Sequence, residues 1–572
     1  MKKILILLIL ISVFSPVVQS TAATGEVRYW VFFTDKGDLE SLSKPALESM
    51  VRATISERAW QRRQKRVKSL YKQHALLTED LPLFQDYIQH LRQIGFRIHQ
   101  KSRWFNAISG YAPGELLKQI DRLPFVKSIE KVKTIRSGDD SIELNSPESH
   151  FDKNNFSLLP QLHYGPSFTQ VNFHSIPELH EQGLSGGGVL VGMFDTGFNL
   201  DHPALRHLIP QIVAEWDFVN GDSVTKNEPG DPSGQESHGT ATLSTIAGMD
   251  EGELIGPAFN ASFVLAKTEA INFERHVEED NWAAAAEWAD SIGVDIVSTS
   301  LGYSDFEPGE PDYTYQDMDG ETTIITRAAN FLTDRGVLVV ASAGNEGGSK
   351  WHFITAPADG KKVITVGAVN SDNQVASFSS RGPTFDGRIK PDVVGIGVGV
   401  RAANASNQQY FFLQGTSLSA PMISGICALV LEKHPGLSVD QMLEIIHRSG
   451  DNSGTPDFDR GWGKVDAVKA LEISDGVSRP VSAFSVMLLG KDPFDATVTF
   501  GVGLPNPSPV TITIYNIMGQ QVKSMHVNGY SGINPVLWDG RNEHGNSVAT
   551  GVYVFRAKSN FGIIHDKFVM IR

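Results

Sequence analysis

One cysteine in 572 residues excludes an internal disulfide framework, so an exported form of this chain must rest on core packing, helped at most by bound ions. Cys427 sits in the apolar run GICALVL, where a buried structural thiol is expected and a nucleophile is not. A second long apolar stretch is also lacking, and no segment after the first residues is long enough to cross a bilayer as a helix. The start, MKKILILLILISVFSPVVQSTAATG, carries two lysines, an apolar run and then small residues, and reads as a secretory signal over 1–23, an uncleaved anchor being the alternative. Repeats and low-complexity tracts are absent, and 41% apolar with 20% charged residues excludes wholesale disorder. Basic charge is scarce overall, at net −15, but it is concentrated. Residues 25–140 hold 21 Lys and Arg against 14 Asp and Glu, whereas residues 141–572 carry −24. The basic run RRQKRVK (62–68) has no glycine-rich or aromatic nucleic-acid motif beside it. It reads as a solvated helical face, and no nucleic-acid partner is expected. A basic segment ahead of an acidic body is instead a candidate intramolecular partner for that body.

The length suggests roughly three or four folding units. EVRYWVFFTDKG (26–37) reads as a strand, 45–75 and 83–94 as helices, SRWFNAISGYA (102–112) as a strand, GELLKQIDRL (114–123) as a helix and VKSIEKVKTIR (126–136) as a last strand. This predicts a compact α+β unit over 24–140. A polar connection or cleavage region follows at 141–165. From Val189 the pattern changes. GGVLVGMFD (187–195), ASFVLAKT (261–268), GVDIVSTSLG (293–302), GVLVVASAGN (336–345) and KVITVGAV (362–369) are short apolar runs ending in small or polar residues, with helical segments between them. That is the pattern of an α/β unit over 166–474, its parallel sheet flanked by helices and buried on both faces, with functional residues at strand carboxyl ends. Beyond 480 the strands alternate and are punctuated by Gly and Asn, which predicts a small antiparallel β-sandwich over 480–572.

Four stretches carry chemistry. MFDTGFNLDHP (193–203) places Asp195 at a strand end, and SHGTATLSTIAG (237–248) places His238 before a small-residue helix. ASAGNEGG (341–348) ends a buried strand at Asn345, and LQGTSLSAPMISG (413–425) sets Ser417 at a helix start among small neighbours. Singly each has a bland explanation: a turn cap, a core histidine, a loop, a helix cap. Together they supply what a serine nucleophile needs: a base for its proton, a carboxylate to orient that base, and donors for an oxyanion.

On these motifs, in the order Asp-Thr-Gly, His-Gly-Thr, Gly-Asn-Glu and Gly-Thr-Ser-x-Ser-Ala-Pro, the chain resembles the subtilisin-like serine proteases, or subtilases, over residues 160–470. The resemblance implies a secreted serine endopeptidase, with Asp195 as orienting acid, His238 as general base and acid, and Ser417 as nucleophile. Asn345 and the Ser417 N–H would form the oxyanion hole. Ser300, Leu301 and Gly302 would pair with substrate backbone, and with Ala343 and Gly344 line the primary specificity pocket. Ala241 stands where many members have a second histidine, outside the triad. Residues 25–136 look like a subtilase propeptide, which aids folding and then occupies the cleft. The tail (LPNPSPVTITIYNIMGQQV, WDGRNEHGNSVATGVYVFRA, KFVMIR) resembles type IX secretion sorting domains, implying a secretion-machinery partner and a secreted or cell-surface destination. Catalysis would need no cofactor or metal. Structural calcium is common in the family, and Asp217, Asp222 and Asp231 lie in loops without a readable ligand spacing. The substrates implied are proteins or peptides, and the competing reading is a surface-binding or narrow processing protein that uses the fold as a scaffold. One further expectation concerns HVEEDNWAAAAEWA (276–289). Glu278, Glu279 and Asp280 would edge the cleft and favour basic substrate residues such as those of KVKTIR (131–136), against the plainer reading of helix-start carboxylates.

Overall fold

The computed structural model describes residues 28–67, 77–132, 162–272, 275–304 and 312–477, then 481, 483–489, 494–495, 497–505, 508–529 and 532–571. The expected signal, nearly all of the expected connection at 141–165 and the KVKTIR end past 132 lie outside the described residues.

In the N-terminal unit, strands β1 (Arg28–Phe33), β2 (Arg97–Ser102), β3 (Ala107–Tyr111) and β4 (Val126–Val132) form an antiparallel sheet in the order β2-β3-β1-β4. Helices α1 (Lys44–Arg52), α2 (Glu57–Arg66), α3 (Gln85–Gln93) and α4 (Gly114–Ile120) accompany it. The single helix expected over 45–75 is two, because Ser56 caps a fresh start: its Oγ accepts from Ala59 N at 3.1 Å. The strand expected over 102–112 is also divided. A turn at 103–106, closed by Asn106 at φ +50°, separates β2 from β3.

The central unit is built on seven parallel strands: β5 (Leu190–Asp195), β6 (Ile212–Asp217), β7 (Ser262–Lys267), β8 (Ile296–Thr299), β9 (Leu338–Ser342), β10 (Ile364–Val369) and β11 (Val393–Ile396). Their order is β11-β10-β9-β8-β5-β7-β6. The five runs read from the sequence are here. IVAEWD (β6) and VVGI (β11), the two sheet edges, were not read as strands. Helix α5 (Ser237–Ala247) and the long α8 (Thr416–Lys433) belong to this unit, as do α6 (His276–Ile292), α7 (Ile324–Asp334), α9 (Val439–Ser449), α10 (Ala467–Val477) and the antiparallel pair β12 (Val398–Ala403) and β13 (Tyr410–Gln414). Separate clusters fill the two sides of the sheet. Cys427 is fully buried in one of them, and burial pushes its thiol up to about 12, so it is a packing residue.

The second of these clusters runs across the boundary with the N-terminal unit. Trp30, Phe32, Trp104 and Phe105 share it with Trp282, Ala283 and Ala286 of α6 and Ala328 and Leu332 of α7. Alanines on α6 let the N-terminal sheet lie close, and each large side chain so buried contributes about 1.5–3 kcal/mol. Over its described part, 62–67, the basic run leaves only Lys65 of its cations exposed and is not a solvated face. Arg62, Arg63 and Arg66 are 4%, 5% and 5% exposed, because carboxylates of the central unit receive them. Arg62 and Arg63 both bond Asp290, and Arg66 meets Asp295 at 2.9 Å. Amphipathic spacing reports which side of a helix carries charge, not whether a partner of opposite sign covers it.

The C-terminal unit is a sandwich. One sheet joins β14 (Ser485–Leu489), β15 (Val498–Leu504) and β18 (Gly532–Trp538). The other runs β20 (Gly562–Ile571), β19 (Gly551–Ser559), β16 (Ser508–Asn516) and β17 (Gln521–Gly529), with a two-residue strand at 494–495 on the edge of β20. Phe500, Ile512, Trp538, Phe555 and Phe568 are among its core.

Candidate active site

β5 and β8 are neighbours, with Phe194 level with Thr299, and β8 is level with β9 from Thr299 to Ala341. The residues leaving the carboxyl ends of these three strands therefore emerge side by side: Asp195, then Ser300 to Gly302, then Ala343 to Asn345. This is where an open parallel sheet presents functional groups.

Asp195 is fully buried and accepts three hydrogen bonds. Thr196 N donates to Oδ1 at 2.7 Å, Thr242 Oγ1 donates to Oδ2 at 2.9 Å, and His238 Nδ1 lies 2.7 Å from Oδ1. His238 keeps 21% of its side chain exposed while Asp195 keeps none, so the imidazole stands between a buried carboxylate and the outside. His238 and Thr242 are four apart on α5 and meet the same carboxylate. Gly239 permits the approach: a Cβ there would collide with the Gly197 carbonyl oxygen and lie 3.1 Å from Asp195 Cβ.

Ser417 is the second residue of α8, after Gly415 and Thr416. Its Oγ lies 3.3 Å from the Ser300 carbonyl oxygen. In return Ser300 Oγ donates to the Ser417 carbonyl at 2.8 Å. The sequence explains that second bond. Pro421, four residues on, has no N–H to give the Ser417 carbonyl, and Ser300 supplies one. Ser300 thus ties the end of β8 to the start of α8. Thr416 donates to Asn345 Oδ1 twice, from N and from Oγ1, each at 3.0 Å. That turns the Asn345 amide nitrogen away from Thr416. A Cβ built on Gly415 would lie 3.7 Å from both Asn345 Nδ2 and Ser417 N, so two N–H donors flank one small space.

Ala343 is buried, its N–H bonded to the Val366 carbonyl at 3.0 Å. Gly344 takes φ +103°, and a Cβ there would meet Thr355 Oγ1 at 2.8 Å. Leu301 is half-buried and Gly302 exposed, before Tyr303 pairs with Ala356. Thr242 and Thr355 were not singled out in the sequence. Thr242 was legible from its spacing after His238, whereas Thr355 lies ten residues past Asn345 with no motif.

The acidic start of α6 departs from expectation. Glu278, Glu279 and Asp280 are each 1% exposed and do not edge an open cleft. Glu278 accepts from Ala270 N at 2.9 Å and Arg275 N at 2.6 Å, closing the helix start. Glu279 pairs with His276 and accepts from Tyr313 OH. Asp280 accepts from Trp30 Nε1 of the N-terminal unit at 2.5 Å, with Arg28 at 3.8 Å. The first two are committed to folding and the third to the N-terminal unit. Of the aspartates weighed for calcium, Asp217 and Asp222 group with Glu228, their oxygens within 4.8 Å. Lys267 bonds both Asp217 and Asp231 at 2.7 Å, so an internal cation already serves part of this set.

Comparison with known proteins identifies the family. The profile of the subtilase family matches residues 186–463, that of the peptidase S8 propeptide domain of Bacteroidota matches 28–147, and that of the FlgD Ig-like domain matches 490–562. The last description is broader than a type IX sorting domain and does not single one out. Subtilisin DY of Bacillus licheniformis is 31% identical over 279 residues, 48% of this chain and 89% of that protein. Subtilisin BL of Lederbergia lenta is 31% identical over 51% of this chain and 94% of its own length. Serine protease AprX of Bacillus subtilis is 31% identical over 47% of this chain, which spans 63% of that protein. Among solved structures, the epidermin leader peptide processing serine protease of Staphylococcus aureus aligns with TM-score 0.53 and 16% identity, over 79% of this chain and all of the other, a likeness of fold. The chain belongs to the subtilase family, the subtilisin-like serine endopeptidases.

Proposed function

We propose that this chain is a secreted endopeptidase that cleaves peptide bonds through an acyl-enzyme on Ser417. The observation that carries the reading is the buried Asp195 bonded to His238 Nδ1, one strand from Ser417 at a helix N-terminus. With Nδ1–H directed at Asp195, the lone pair of His238 is on Nε2 and can take the Ser417 Oγ proton as that oxygen attacks the scissile carbonyl. The carbonyl oxygen gains the negative charge, in the space flanked by Asn345 Nδ2 and Ser417 N, where the helix N-terminus adds positive potential. His238 returns its proton to the leaving amine, and a water repeats the sequence to release the acid. Ser300, Leu301, Gly302, Ala343 and Gly344 would hold substrate. No step uses a metal, and structural calcium stays outside the reaction.

The propeptide would act on the same enzyme, first as folding partner and then as a cover, until the chain cuts itself. Among the described residues no helix is long and apolar enough to cross a membrane, consistent with export of the whole chain. We assign the C-terminal sandwich to delivery through the type IX route. The test is secretion of the full chain and its Ser417→Ala variant, followed by casein digestion and mass spectrometry. Wild type should digest casein and lose its propeptide, and the variant should do neither. A folded wild-type chain as inert as the variant would leave only a scaffold.

A further inference from the structure

Thr355 stands between the two walls of the pocket beside Ser417. A Cβ on Gly302, in one wall, would overlap Thr355 Oγ1. A Cβ on Gly344, in the other, would lie 2.8 Å from Oγ1 and 3.0 Å from Cγ2. Both walls are glycine at this level, and the threonine side chain fills the gap between them. Its backbone is fixed, with N donating to the Ala343 carbonyl at 3.1 Å and the carbonyl accepting from Ala358 N at 2.9 Å. The residue is 3% exposed, yet Oγ1 has no hydrogen-bond partner among the described residues. A buried hydroxyl left unpaired is costly and uncommon, and between the two segments that would wall the pocket it points to a partner that arrives with the ligand.

We infer that Thr355 is the floor of this pocket and selects, on the acyl side of the scissile bond, an uncharged side chain with an amide end, asparagine or glutamine. The inference rests on the proposed protease reading and adds the substrate class. Glycine walls admit a flat group. A threonine methyl and hydroxyl filling the gap limit depth, which disfavours an aromatic ring. The hydroxyl can donate and accept, and an amide offers both complements. A leucine of nearly the same shape would bury the hydroxyl unpaired. A lysine ammonium would meet a hydroxyl where it needs a counter-charge. Sites built to hydrogen-bond a substrate group discriminate strongly against the analogue that lacks it.

The experiment uses the full chain after self-processing, with peptides that differ only at the residue before the cleaved bond: Asn, Gln, Leu, Phe and Lys. Asn or Gln should lead Leu by about tenfold in kcat/KM, in the range of one buried hydrogen bond. Thr355→Val keeps the shape and should remove that lead, the Asn and Gln peptides falling relative to Leu. Thr355→Ser keeps the hydroxyl and should retain the lead, which serves as the readout if the valine variant fails to mature. An active enzyme that prefers Leu, Phe or Lys would overturn the inference and leave the protease reading intact. So would a Thr355→Val effect equal on all five peptides. A folded wild type inert on every peptide, casein included, would overturn both.

Discussion

Replacing Asp290 by Asn should loosen the propeptide without touching the reacting groups. Asp290 is fully buried on α6 and receives two propeptide guanidiniums, Arg62 through Oδ1 and Arg63 through Oδ2, the latter at 2.5 Å. Burial lowers Arg62 only to about 10, so it stays charged at neutral pH. The substitution keeps the shape and removes the charge that both cations were folded around. Breaking one partner of a buried pair costs about 3–5 kcal/mol, although such a pair need not outperform an apolar replacement of both partners. The lower end applies, because Arg63 keeps Asp80, and Arg62 keeps the carbonyls of Val294 at 2.6 Å and Arg335 at 3.3 Å. About 3 kcal/mol corresponds to roughly a hundredfold weaker hold. The assay is the inhibition constant of the separately produced segment 24–140 against processed enzyme, wild type and variant, with peptide kcat/KM measured alongside. A change below about threefold, or an equal fall in kcat/KM, would refute the argument that these buried cations depend on Asp290.

Asn345→Ala should lower kcat with little change in KM, by about 10²–10³-fold, a range measured on another member of this family and not worked from this site. Deleting 480–572 should block delivery while the central unit keeps its peptide activity, read by assaying culture medium against cell lysate; normal export of the truncated chain would exclude a sorting role. Propeptide binding should strengthen as pH falls, through the carboxylates buried beneath it. Burial, opposed by Arg28 and Trp30, raises Asp280 from 3.8 to about 7, so its contribution is complete below about 4 and is lost as pH rises to about 7. Glu287, raised by burial beside Arg103 and Ser102, has the same sign. Asp280→Asn should therefore flatten the strengthening of inhibition between pH 7 and 4, measured as inhibition constant against pH. A profile parallel to wild type would show that Asp280 does not titrate with binding.

Much of the site was legible in the sequence, because its chemistry is carried by short motifs at the ends of buried strands. Asp195, His238, Asn345 and Ser417 each sit within two residues of a glycine, and at Gly239 the structure shows why: a side chain there would push His238 off Asp195. The five runs read as strands are the inner strands, apolar on both faces. The edge strands β6 and β11 were missed for opposite reasons. IVAEWD has one wetter face, and VVGI is only four residues long. Thr355 was invisible because its importance is contact across strands, at a position with no periodic or motif signal.

The α6 carboxylates show where sequence reading goes astray in kind rather than degree. Glu278, Glu279 and Asp280 form one acidic run, and sequence offers two uses for such a run at a helix start: dipole complement or ligand contact. The structure divides the run. Glu278 caps, Glu279 binds Tyr313 and His276, and Asp280 meets the propeptide through Trp30. Seven and ten residues further along α6, Glu287 receives Arg103 at 3.4 Å and Asp290 receives Arg62 and Arg63. Spacings of seven and three keep Asp280, Glu287 and Asp290 on one side of the helix. The charge contrast between the two parts of the chain is therefore met largely along one helix face, with Asp295 just past its end receiving Arg66, by specific pairs rather than by diffuse attraction. That face faces the propeptide rather than the groups that would cut substrate, so substitutions on it should change latency first and peptide preference little.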